Sequence, residues 1–411
     1  MQKFEKHSPV VVTEVTTKHE LRQFMQYPNR LYADNPNYIP SFYGDDLSDW
    51  TPGKNPAFDY CEARCWLARR DGEIVGRIGA ILSHKANDKF GTHRMRFSQV
   101  DFVDDSEVSA ALFGTVERWA REKGCDQVHG PLGFTDMDRE GMLVEGFDRR
   151  SLFFTNYNAP YYLEHLTRLG YRKDVDWIEY RITVPEPGGA EAERLHKLSE
   201  FILKRKHLHV ATVHHKSEYG PFVRQVFELV NAAYAPLYGV VELSDEQIER
   251  YANKFIPLVD PDFVCFVVDE QDQLVAFGVT ALDPSVALKH SDGRLFPFGW
   301  AGVLNDLHHS DTLIMLLTAV RPDLQAEGIN AVMMDHVCQS CNRHGVRFAE
   351  TGPMLELNDH ILAQWKRLEK EQHKRRRCFI KDLEALRGSP AAHPLGQGQL
   401  NRRFQRQRYH R

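Results

Sequence analysis

The chain has 411 residues, 42% of them hydrophobic, and a formal net charge of −5. That is enough apolar material for two cores of roughly 180–200 residues each, while no apolar run reaches the ~18 residues needed to cross a bilayer. Seven cysteines, odd in number and irregularly spaced, provide no disulfide framework, and MQKFEKHSPVVV at the start lacks the apolar stretch of a secretory signal, so a reducing cytoplasm is expected.

In chain order, Val10–Val15 is predicted as a strand and His19–Tyr32 as a helix. A hairpin over 65–82 and a strand over Arg94–Val103 follow. Ser106–Lys123 places Val108, Ala111, Leu112, Val116, Trp119 and Ala120 on one helical face. A short strand at Gln127–Gly130, a long polar insertion, a helix at Tyr161–Leu169 and a strand at Trp177–Val184 complete the first unit. Pro185-Glu186-Pro187-Gly188-Gly189 then reads as a linker. The second unit repeats the order, with helices at Pro221–Tyr234 and Asp245–Phe255, a hairpin, a strand at Thr312–Val320, a helix at Ile329–Arg343, a strand at Arg347–Thr351, a helix at Asp359–Leu368 and a strand at Arg377–Leu383.

The repetition is visible in the residues. CWLARRDGEIVGRIGAIL (65–82) and CFVVDEQDQLVAFGVTAL (265–282) are one hairpin pattern written twice, each opening on Cys and an aromatic. Downstream, Gly130-Pro131-Leu132 is echoed by Gly352-Pro353-Met354, and Asn158 by Asn358. A period of this length indicates a duplicated domain, not a solenoid. Mixed strands alternating with helices make each copy α/β, or α+β with a mixed sheet. The expected domains are 1–185, 186–387 and a basic tail, 388–411, which holds Arg402, Arg403, Arg406, Arg408 and Arg411 without an acid. The tail reads as disordered, with weak contact to RNA or an anionic membrane as the alternative to a merely solvated extension.

Val320-Arg321-Pro322-Asp323-Leu324-Gln325-Ala326-Glu327-Gly328-Ile329-Asn330 carries the most chemistry. A strand runs into a loop, and Gly328 opens a helix whose first N–H groups and dipole suit a phosphate or pyrophosphate. In this order of elements, the Gln-x-x-Gly loop resembles that of the GNAT acyltransferase superfamily. The resemblance covers roughly 8–385 and extends to uncharacterised bacterial double-GNAT proteins through Gly130–Phe134, Gly141–Asp148, Asn158–Tyr162 and Arg294–Trp300.

The resemblance implies two tandem GNAT-like domains, each a twisted mixed sheet flanked by helices, and an N-acyltransferase using a coenzyme A thioester, with no metal. It implies donor binding by Val320, Gln325, Gly328, Ile329, Asn330 and Asn358, and a general base at Glu350 on the strand after the loop helix. Asn158, Tyr161 and Tyr162 match the family better than the first unit's own loop, Asp104–Ser109, which has no Gly and three acids. The cofactor is therefore expected in the second domain, with a supporting or substrate-gripping role for the first. Two features depart from the pattern: Asn330 replaces a Gly or Ala, and no Tyr follows Asn358 in its helix.

The insertion Thr135–Asn156 is rich in charge, and Glu145, between Val144 and Gly146, is its best candidate for holding an amine, against the simpler reading of solvated loop charges. Leu295–Leu304 reads either as an apolar cover for a long acyl chain or lipid-like amine, or as interdomain core. Cys338 and Cys341 have zinc-like spacing but no second pair, and a helix accounts for them. Two further readings stay open: a catalytically silent tandem module, and an aminoacyl-tRNA-dependent transferase.

Overall fold

The computed structural model describes residues 8–384. The arginine-rich extension at 388–411 lies outside them. The strands are β1 (Val11–Glu14), β2 (Cys61–Arg70), β3 (Glu73–Ser83), β4 (Arg94–Phe102), β5 (Gln127–Gly130), β6 (Met142–Glu145) and β7 (Arg172–Thr183) in the first half. The second half contributes β8 (His209–Val210), β9 (Val264–Val268), β10 (Leu274–Leu282), β11 (Thr312–Val320), β12 (Phe348–Glu350), β13 (Met354–Leu355) and β14 (Lys370–Asp382).

All of them join one sheet in the order β1-β2-β3-β4-β5-β14-β7-β12-β11-β10-β9-β8, with β6 on β14 and β13 on β7. The duplication is plain in this order. Hairpin β2–β3 turns at Asp71 and Gly72, both at positive φ, and β9–β10 takes the same place in the second half. Each half then runs antiparallel until a parallel pair, β4 with β5 and β11 with β12.

The last strand of each half crosses to the other. β14 pairs with β5 of the first half through Phe379↔Gly130 to Asp382↔Gln127. β7 pairs with β12 of the second half through Phe348↔Thr183 to Glu350↔Arg181. Between them, β7 and β14 form a long antiparallel seam from Lys370↔Ile182 to Ile380↔Arg172. The linker at 185–189 is thus the covalent join, but the hydrogen-bonded join is the pair of exchanged strands.

That seam holds an unusual sequence, His373-Lys374-Arg375-Arg376-Arg377. Lys374 and Arg376 are at most 1% exposed, as are Asp176 and Glu179 of β7. Lys374 Nζ donates to Glu179 at 3.4 Å and to Glu350 at 3.1 Å. Arg376 also donates to Glu179, and Arg377 grips Asp176 with two nitrogens at 2.8 and 2.9 Å. Burial by itself would raise the Glu179 carboxyl, but the charges of Arg376 and Lys374 hold it below the usual glutamate range.

Two predictions follow from the ladder. Lys374→Met leaves Glu179 and Glu350 buried with less compensating charge, and the unfolding free energy read by urea denaturation falls by about 3 kcal/mol or more. Because the Glu179 carboxyl is depressed in the folded state, its contribution is present above about pH 4 and is lost as pH falls further through the folded value. Urea midpoints should drop on that acidic limb, and less so in Glu179→Gln once its own lower baseline is subtracted.

Candidate functional site

In each half the parallel strand pair separates after three residues, leaving a fork. β11 is paired with β12 only from Thr312 to Ile314, yet it continues beside β10 to Val320. A register shift falls between Val279 and Thr280, where β10 passes from Leu317 to Met315. Residues Met315–Thr318 are only half-buried. They line an opening into which backbone N–H and C=O groups can be presented without a strand partner.

At the end of β11 the chain enters the Gly-containing loop. Ala326 and Gly328 both take positive φ, 64° and 83°. The backbone N–H groups of Gln325, Ala326, Gly328, Ile329 and Asn330 have no acceptor within the described residues. The helix Asn330–His344 begins immediately after, without a side-chain cap. Successive uncapped N–H groups at a helix start form a concavity for an anion. Gln325 turns back, its amide donating to the Val320 carbonyl at 3.2 Å. The Glu327 carboxylate, which would oppose an anion, is paired with Lys206 Nζ at 2.6 Å. Val320, Gln325, Gly328, Ile329 and Asn330 are therefore brought together. Gly328 has a packing reason as well: a Cβ there would lie 2.9 Å from Ile202 Cδ1. A side chain at 328 would press on the helix Ala190–Lys206.

The first half's fork is narrowed to a cavity of about 30 Å³ bordered by Gln99, Val100, Asp101, Pro131 and Met142. The Asp105 carboxylate accepts from the N–H groups of Glu107 and Val108, at 2.8 and 3.4 Å, and so caps its own helix. Arg70 bridges Asp105 and Glu107. Tyr162 is 0% exposed, stacks on Phe102, accepts from the Phe102 N–H at 2.7 Å and shares a hydrogen bond with Tyr32. Tyr161 donates to the Phe102 carbonyl. Asn158 exchanges hydrogen bonds with the backbone of Leu143. These groups complete the edge of β4 as a strand would. Tyr162, a catalytic candidate from sequence, is a core tyrosine whose burial pushes its hydroxyl well above the usual range.

The other candidates separate too. Glu145 lies on the surface, its side chain 61% exposed and facing Arg375 at 3.3 Å. Glu350 sits at the base of the second fork, but its carboxylate belongs to the Lys374 ladder. Asn358 caps the short helix Asp359–Ala363, accepting from Ile361 N–H.

What the sequence did not single out is the loop 134–140 of the first half. It reaches the second half: Met137 packs against the apolar cluster that contains Ala319 of β11. Asp138 shapes it, accepting from the N–H groups of Phe134 and Thr135 at 2.8 and 3.2 Å. Gly133 is required beside it, since a Cβ would stand 2.2 Å from that of Asp138. Thr135 is tied to Tyr251 of the second half at 2.6 Å. The loop's remaining acids are Asp136 and Glu140. Burial pushes the Asp136 carboxyl up to about 6, and burial with the Asp136 charge pushes Glu140 well above the carboxylate range. Tyr234, at the end of the helix Gly220–Tyr234, donates to the Thr318 carbonyl at 2.8 Å. Burial raises its hydroxyl to about 12, with the Asp136 charge contributing. The one sequence signal available was the acid pair itself, Asp136 and Glu140, in the insertion.

A cleft of about 1030 Å³ lies between the halves, with Phe42, Leu258, Leu295 and Phe296 on its apolar side and Arg250 and Lys254 on its polar side. Phe42, Leu258 and Leu295 belong to the same apolar cluster as Leu316 of β11, while the cleft itself is lined by none of the β11 residues. One trio of metal-ligand type occurs among the described residues, His129, Asp174 and Cys378. The Tyr238 hydroxyl lies against all three, at 2.9, 2.6 and 3.5 Å, and serves as their hydrogen-bond partner.

No family model matches the sequence. Over 379 residues the chain is 27% identical to Protein YghO of Escherichia coli (strain K12), covering 91% of this chain and 95% of the relative. It is 28% identical over 300 residues to a bacterial ceramide synthase of Caulobacter vibrioides, covering 71% and 75%. Among solved structures, a tandem GNAT protein from the clavulanic acid biosynthesis pathway superposes with a TM-score of 0.52 at 14% identity, over 93% of this chain and 100% of that one. The repeated half-sheets, their two forks and this superposition agree: the chain has the tandem GNAT fold.

Proposed function

We propose that the chain is an N-acyltransferase whose working site is the fork of the second half, fed by a coenzyme A thioester and completed by the acid loop of the first half. The observation that carries this reading is the contrast between the forks. One is narrowed by its own tyrosines and Asp105 to a cavity of about 30 Å³, whereas the other keeps a half-buried strand edge beside a loop of free N–H groups. Those N–H groups, with Gly328 and Gln325, suit the pyrophosphate of the donor. The named activity of one relative, ceramide synthase, agrees in kind, since a ceramide is an N-acylated long-chain amine.

The reaction needs three things: the two reactants held together, a donor for charge developing on the thioester oxygen, and a place for one proton of the amine. The edge of β11 offers backbone N–H for the second. Asp136 is our general base in place of Glu350, because burial pushes its carboxyl up to about 6 beside Tyr234, whereas Glu350 is engaged by Lys374. Glu140, whose carboxyl is raised by burial and by the Asp136 charge, adds to the acidic character of the loop. Tyr234 keeps its proton at neutral pH and is the candidate for protonating the departing thiolate. It would fill the role left vacant by the helix after Asn358. Asn358 stays a donor-arm candidate only through its place after β13. The acceptor we infer is an amine with an apolar chain, which the apolar wall of the cleft would take.

Calorimetric titration with coenzyme A and palmitoyl-CoA tests the donor site. Gly328→Val is a poor probe because its side chain meets Ile202. Asn330→Asp is better: an acid in the first helical turn favours the helix dipole yet repels a phosphate. Thioester affinity should fall roughly tenfold with no loss of unfolding free energy. Saturable binding unaffected by the substitution would remove the pyrophosphate site from this loop. Failure of both thioesters to bind wild-type protein would favour a binding module instead.

The base is tested by pH. The deprotonated Asp136 is the active form, so kcat/KM should rise with pH through a limb near 6 and level off above it. Asp136→Asn should abolish that limb and slow turnover by roughly a hundredfold. Tyr234→Phe should lower kcat by about tenfold or more while leaving donor affinity unchanged.

A further inference from the structure

Of the two roles the sequence allows Leu295–Leu304, interdomain core fits Leu295 and Val303, which pack inward against Leu288, Ala287 and Phe42. The rest faces outward. Phe296 and Phe298 are each 80% exposed, Trp300 is 47% and Leu304 45%, and Val286 on the neighbouring helix Ser285–His290 is 50%. Five of the nine large apolar side chains exposed among the described residues thus belong to this helix pair and the connection between its helices. The pair is a firm platform. Gly302 approaches Ala287 closely, and the Asp306 carboxylate accepts from the Ala287 N–H at 2.7 Å.

We propose that this helix pair docks on a lipid surface. Contiguous exposed apolar area marks an interaction site, and three observations select lipid as its occupant. Trp300 and Leu304 lie one turn apart on the helix Gly299–His309, with Phe296 and Phe298 just before it, which is the aromatic-and-aliphatic make-up of an interfacial segment. The Trp300 indole N–H already donates to the Pro297 carbonyl at 3.2 Å, so the ring can leave water without orphaning its donor. From 295 to 304 no side chain is charged, so this stretch can leave water without desolvating a charge.

The position gives the surface a use. Arg294, Leu295 and Phe296 also line the mouth of the interdomain cleft. A lipid-borne amine leaving the bilayer would meet the apolar wall of the cleft. The docking itself does not depend on acyl transfer and is measured without a thioester.

The test is flotation of the full chain with phosphatidylcholine vesicles, with and without phosphatidylglycerol, beside the variant Phe298→Ser/Trp300→Ser. Both side chains are exposed, and a thermal melt checks that the variant is folded. The expected result is co-flotation with the vesicles, reduced at least about tenfold in the variant. No flotation of the wild type with either composition, or equal flotation of the variant, would overturn the proposal. Light scattering that shows a dimer dissociated by the variant, without flotation, would make this face a contact between copies and overturn it as well.

Discussion

The architecture depends on one seam of buried charge. β7 and β14 are the strands that each half gives to the other, and between them lie Asp176, Glu179, Lys374 and Arg376, all out of water. Isolated, each of these charges would be costly to bury. Set in register, they are paired, and the pairing is specific: Lys374 meets Glu179 and Glu350, Arg376 meets Glu179, and Arg377 meets both oxygens of Asp176, with one Arg376 nitrogen left without a partner among the described residues. A one-residue slip of β14 would turn every partner to the opposite face of the sheet. The ladder therefore fixes how the two halves are held, and with that the geometry of everything between them.

The exchange of strands has a consequence for the forks. Because β7 runs beside β12, and β14 beside β5, each fork is framed partly by the other half. The loop 134–140 follows β5 directly and is carried across the join, where Thr135 meets Tyr251 and Met137 meets the apolar cluster that contains Ala319. The first half's fork is narrowed by Tyr161, Tyr162 and Asp105, while its loop brings the Asp136 charge close to Tyr234 of the second half. An aromatic-lined fork packs well, and a polar loop is tolerable where a rigid sheet supports it.

Much of this was legible in the residues. Period-2 and helical patterns placed most elements, since burial on one face writes itself into sequence. The hairpin repeat at 65–82 and 265–282 marked the duplication, and the order of elements pointed to the fold that the superposition bears out. The loop from Val320 to Asn330 was recognisable because Gly328 and Ala326 must turn the chain into a helix within a few residues. The start of β14 was harder. A run such as His373–Arg377 has the look of a solvated face, and only its acidic partners, about 200 residues earlier on β7, make it a buried strand.

The site divided along the same line. By itself the sequence determined local features: the hairpins, the helix after Gly328, the absence of glycine in the first half's loop, and a charged insertion. Those follow from backbone sterics and nearest neighbours. Which acids of that insertion are buried at the fork, and which sit in solvent, was decided by tertiary structure alone. Asp136 and Glu145 are equally carboxylates in sequence, but one is carried into a crowded join where its charged form is poorly solvated, and the other faces water and Arg375. Solvation is set by what packs against a group, and here that packing comes from residues on the far side of an exchanged strand.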